Sequence, residues 1–226
     1  MGAPRQILHG SAYLITRRCS ERRFFLRPDP FVALLTGYLL AQVTKRFGIR
    51  ICCCVVMANH YHAVVVDVNG RLPKFLHWFH RLLAVGMNVF RGRREAFWSS
   101  EKPNVVRLET SADVLDKMVY VLSNPLTADL AGTIDSYPGF ITLPRMFLDE
   151  EGTEYRRPDT YFNPEGRMPP AARLCLSKPP GFDDMDMNTF VAMLEERIRR
   201  NEEEHARRLE TEGRTLPAPA ALRAVD

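Results

Sequence analysis

His60 and His62 stand one residue apart in the stretch VVMANHYHAVVVD, which is otherwise built largely of apolar, strand-forming residues. Successive side chains of a β-strand point to opposite faces, so a spacing of two puts both imidazoles on one face. A pair so placed either satisfies itself as hydrogen-bonded core or holds a metal ion, given a third ligand and an open position. The stretch SADVLDKMVYVLSNP carries Tyr120 and Asn124 four residues apart, on one face of a helix. An Asn carbonyl oxygen is an acceptable ligand for a hard divalent ion. Tyr120 also reads as a core aromatic, and Asn124 as a residue ending a helix before Pro125.

Around these residues, hydrophobic periodicity lays out the elements that must position them. SAYLITRR alternates as a strand, and CSERRFF follows as a polar turn with a short apolar return. RPDPFVALLTGYLLAQVTKRFG reads as a helix with Asp29 as N-cap, Pro30 in the first turn and Gly48 as stop. IRICCCVVMA and HYHAVVVDV are two strands joined by a tight turn at Ala58 and Asn59. LPKFLHWFHRLLAVGMNVFRGRR is a second helix with Phe75, Leu76, Phe79 and Leu83 on its apolar stripe. His77 and His80 fall on its more polar side, at the surface or within reach of a phosphate. A short strand NVVRLE precedes a helix that opens at Thr110 or Ser111, with Asp113 set for a capping box.

The order β, α, β, β, α, β, α predicts an α+β fold of the ferredoxin-like, split βαβ kind. It has a mostly antiparallel sheet with helices on one side, plus a C-terminal helical extension. Residues 1–145 form this unit. Residues 146–226 read as a proline- and acid-rich linker or wrapped loop, a charged amphipathic helix over MNTFVAMLEERIRRNEEEHARRLE, and a loose tail.

Composition bounds the function. With 46% apolar residues in 226, the chain can bury a substantial core. It has neither a signal-peptide layout nor an apolar run long enough to cross a bilayer, so a soluble, cytoplasmic protein with no membrane partner is expected. Five cysteines, three of them consecutive at Cys52, Cys53 and Cys54, lack CxxC spacing and read as packing. The net charge of +4 is unevenly spread: residues 1–107 hold 17 Lys and Arg against 5 Asp and Glu, and residues 108–226 hold 14 against 22. A front half this basic attracts polyanions through counterion release.

VVMANHYHAVVVD, followed by DKMVYVLSNPLTADLAG, resembles the HUH single-tyrosine transposases, in particular the REP-associated tyrosine transposases. The entry YLITRR and the aromatic FWSS are similar as well, and the likeness runs in order over residues 11–140. It implies His60 and His62 as metal-binding histidines, Tyr120 as nucleophile and Asn124 as third ligand, with Mg²⁺ or Mn²⁺ as the ion. Three positions depart from the pattern: Ala58 stands where proline is common, and Thr127 and Asp129 replace an Arg-like residue and a glycine.

The implied chemistry is metal-dependent nicking and strand transfer on single-stranded or hairpin DNA through a 5′-phosphotyrosine link, with no ATP required. Arg17, Arg18, Arg22, Arg23, Arg91, Arg93 and Arg94 are then candidates for phosphate contacts. The alternative is a hairpin-binding protein derived from a transposase that no longer cleaves. A histidine-triad-like hydrolase would need another histidine where Val64 stands. Both a monomer and a homodimer fit the resemblance.

Overall fold

A computed structural model describes residues 7–224. Strand β1 (Ser11–Arg18) leads through a short 3₁₀ turn into helix α1 (Pro30–Phe47), then β2 (Ile49–Met57) and β3 (His60–Asp67). Helix α2 (Leu72–Phe90), β4 (Asn104–Leu108) and α3 (Ser111–Leu122) follow, with the one-turn α4 (Asn124–Thr127) directly behind. The punctuation acts as the sequence predicts. Asp29 accepts from the Phe31 amide at 2.8 Å, Gly48 ends α1 at a left-handed φ of 67°, and Thr110 with Asp113 forms the capping box of α3.

The four strands make one antiparallel sheet in the order β2-β3-β1-β4. This is the split βαβ arrangement: β1 and β2 run parallel, with β3 between them. Helices α1 and α2 pack together on the Tyr61 face, where the Tyr61 ring meets Phe79 and His80. The added helix α3 departs from the one-sided plan. It lies on the opposite face, with Tyr120 against His62. Strands β2 and β3 are thus covered on both sides, which is why they read as continuous apolar runs and not as an alternating pattern.

Beyond residue 145 the chain is wrapped onto this unit. Residues 140–142 extend the free edge of β2, with the Val56 amide donating to the Phe140 carbonyl and the Thr142 amide to the Cys54 carbonyl. Strands β5 (Thr153–Arg156) and β6 (Ala171–Leu174) form a hairpin on α1, where Gly37 lacks the side chain that would collide with Tyr155. Phe147, Phe162, Leu174, Phe182 and Phe190 join the buried core of the sheet unit. The proline-rich segment is therefore not a free linker: its widely spaced aromatics supply apolar area without helical or strand periodicity. The tail contains a short exposed helix, α6 (Pro219–Ala224).

Helix α5 (Met187–Glu212) docks against α3 and α4. Asn201 donates to the Ser123 hydroxyl at 3.0 Å, Arg197 pairs with Asp116 at 2.6 Å, and Glu202 accepts from the Ile134 amide at 2.8 Å. The centre of the dock is Asp129, whose side chain is 17% exposed and meets His205, Arg208 and Arg214. Desolvation pushes its carboxyl up, but the His205 hydrogen bond and the two guanidinium charges outweigh this and hold it below the ordinary range. Asp129 also sits at a φ of 53°, a left-handed conformation that Asp tolerates better than most residues. The carboxylate that departs from the transposase pattern is thus bound by cations of the C-terminal extension. Asp129→Ala should destabilise the fold by about 1 kcal/mol through the backbone alone. Stranding the Arg208 and Arg214 guanidinium groups and removing the partner of His205 add to that, so the urea midpoint should fall clearly below that of the wild type.

Candidate active site

Both imidazoles project from the α3 face of the sheet, with ring centres 4.7 Å apart. Each is held through Nδ1. Asn59, in the turn between β2 and β3, donates from Nδ2 to the Arg22 carbonyl at 3.1 Å, which leaves its Oδ1 facing His60 Nδ1 at 2.6 Å. A carbonyl oxygen only accepts, so His60 Nδ1 carries the proton and its Nε2 keeps a lone pair. His62 Nδ1 meets Thr16 Oγ1 at 2.7 Å from the neighbouring strand, which orients that ring in the same manner.

Burial lowers the His60 pKa to about 4, with the Arg18 charge adding to the effect. Burial first, then His60 and Arg18, lowers that of His62 to about 3. Both rings are therefore neutral near pH 7, the form that ligates metals. Among the described residues no third His, Cys, Asp or Glu joins them. A further protein ligand must then be a neutral oxygen such as an amide. This donor set fits a divalent ion that keeps several waters.

Tyr120 stands over His62 with ring centres 5.6 Å apart. The phenol is 47% exposed, and the Lys117 ammonium lies 5.6 Å from its ring centre, one turn earlier on α3. Tyr120 and His62 line a cavity of about 530 Å³ together with Thr16, Arg18, Lys102, Asn104 and Lys117. Four cations, Arg17, Arg18, Lys102 and Lys117, line it against one carboxylate, Glu101. Such a cleft suits a phosphodiester. Asn124 is not among its lining residues. Its Nδ2 donates to the Tyr120 carbonyl at 2.8 Å, and it begins α4.

The arginines divide. Arg18 faces the cavity, and Arg22, Arg23 and Arg94 are exposed. Arg17 lines the cavity but ties down the loop after Trp98, donating to the carbonyls of Ser99 and Glu101. Arg91 and Arg93 depart from the phosphate-contact expectation: Arg91 pairs with Asp29 at 3.8 Å, and Arg93 stacks 3.8 Å over the centre of Phe25. Sequence reasoning passed over Thr16, Asn59 and Lys117. Asn59 and Lys117 carried a signal, next to His60 and one helical turn before Tyr120, whereas Thr16 became visible only through strand register.

His80 differs from its expected place on the polar side of α2. It is 8% exposed, and its Nε2 is hydrogen-bonded to the Tyr61 hydroxyl at 2.6 Å on the face of the sheet opposite the histidine pair. Burial, with the Arg17 charge, lowers its pKa to about 3. The unfolded chain binds a proton below about pH 6.5 that the folded protein refuses, so stability falls as pH drops through that window towards 3. At pH 5 the loss from this one group is on the order of 2 kcal/mol. Urea midpoints measured at pH 7 and pH 5 should show a smaller acid loss in His80→Gln than in the wild type.

Fold and site together define an α+β protein with a paired-imidazole, single-tyrosine centre on an antiparallel sheet. A solved structure of a REP-associated tyrosine transposase bound to a REP hairpin has this fold, at a TM-score of 0.52 and 13% identity, covering 78% of this chain and 99% of that one. No protein-family model and no curated protein matches the chain. Among the described residues no helix is long and apolar enough to cross a membrane.

Proposed function

We propose that the protein is a metal-dependent DNA nicking and strand-transfer enzyme acting on hairpin or single-stranded DNA through Tyr120. The observation that carries this reading is the phenol of Tyr120 seated over His62, whose ring neighbours His60, in a cleft where four cations stand against one carboxylate. The solved transposase of like fold is bound to a DNA hairpin, which supports the substrate class.

His60 and His62 would hold a divalent ion, Mg²⁺ or Mn²⁺, through their Nε2 atoms; Asn124, whose amide here is turned to the Tyr120 carbonyl outside the cleft, would have to swing in to add its side-chain oxygen as third ligand. When bound, the ion polarises the scissile phosphate and offsets charge on the leaving oxygen. Arg18, Lys102 and Lys117 draw the phosphodiester into the cleft, and Lys117 holds the Tyr120 ring by its cation–π contact. The Tyr120 hydroxyl attacks phosphorus, its proton passing to water. The P–O3′ bond breaks, and the 3′ oxygen takes up a proton. The product is a 5′-phosphotyrosine with a free 3′-OH. Because the phosphoester is conserved, attack by a 3′-OH reseals the strand without ATP.

Incubation with a hairpin oligonucleotide carrying unpaired flanks, in Mn²⁺ or Mg²⁺, should give a denaturation-resistant protein–DNA adduct. Tight binding with no adduct in either metal would instead identify a hairpin-binding protein that does not cleave.

A further inference from the structure

Helix α2 and the 98–103 loop enclose a second cavity, of about 650 Å³, on the Tyr61 side of the sheet. Arg17 and Lys102 line both this cavity and the one holding His62 and Tyr120, so the two clefts share a wall. Among the described residues every ionisable group around the second cleft is basic: with those two stand His77, His80 and Arg81, and no carboxylate lines it. The Trp98 indole N–H donates to the His80 carbonyl at 2.8 Å, so its one donor is spent inside the protein. What the partly exposed ring offers a ligand is its apolar surface.

A cationic rim, an aromatic surface and little hydrogen-bonding specificity match how single strands are held without sequence preference. The lack of carboxylates disfavours a cationic ligand, and the shared wall favours a chain that continues from the first cleft. We propose that this cleft is a second nucleic-acid subsite, taking unpaired nucleotides that flank the phosphodiester at Tyr120. A base packs on Trp98, and phosphates meet Lys102, Arg81 and His77. The proposal rests on the DNA reading of the first cleft.

His77 and Arg81 are exposed on α2, away from the histidine pair, and alanine suits a helix. The double variant His77→Ala/Arg81→Ala should therefore fold. Its affinity for a hairpin with about five unpaired flanking nucleotides should fall on the order of tenfold, with a shallower salt dependence. Affinity for the bare hairpin should be unchanged. In a Trp78→Phe background, flanked DNA should quench Trp98 emission and the bare hairpin should not. Equal losses with both DNAs, or no loss with the flanked one and no quenching, would overturn the subsite. Flank-dependent binding without any adduct would sink the cleavage reading and uphold the subsite, whereas a wild type that binds neither DNA would sink both.

Discussion

Tyr120→Phe should abolish the covalent adduct, lowering its formation by on the order of 10⁴-fold or more, while hairpin affinity stays within about twofold. The substitution removes one oxygen, the atom assigned to attack phosphorus. The ring that packs beside His62 and under Lys117 remains. Because the phenol is half-exposed on α3, no buried hydrogen bond is lost, and stability should shift by less than about 0.5 kcal/mol. Denaturing gels for the adduct and fluorescence anisotropy for binding separate the two effects. Undiminished adduct in the variant would mean that another residue carries the nucleophile.

His62→Ala should lower cleavage by about 10² to 10⁴-fold, and chelation of divalent ions should bring the wild type to the same floor. The ring is buried, neutral and fixed through Nδ1 by Thr16, so its loss would remove the proposed ligand atom together with its preset orientation. Near pH 7 the variant should bind Mn²⁺ more weakly yet still bind the hairpin, because Arg18, Lys102 and Lys117 remain in the cleft. A Mn²⁺ titration read by calorimetry distinguishes ligand loss from general damage, which would weaken metal and DNA binding alike. Wild-type adduct that persists in chelator would refute the metal assignment. Thr16→Val keeps the ligand and frees only its orientation, and should cost less, about 10 to 100-fold.

The C-terminal extension bears on both results. Its helix α5 holds the segment that follows Tyr120 through Ser123 and Asp129. It therefore braces the Tyr120-bearing helix from outside the cleft. The sequence reads this helix only as charged and amphipathic, because the arginines that meet Asp129 lie more than seventy residues away from it in the chain.

Local chemistry determined much from the sequence alone. The spacing of His60 and His62 put both rings on one face because a strand repeats every two residues. Asp29, Gly48 and the Thr110–Asp113 box set helix ends because backbone groups at a helix terminus need nearby partners. The β, α, β, β, α, β, α order narrowed the sheet to few topologies. What only the tertiary structure decided are relations between residues distant in the chain. These include α3 on the far face of the sheet, Thr16 against His62, Arg91 and Arg93 turned inward, and His80 buried on Tyr61. Periodicity says which residues share a face, but packing chooses what that face meets.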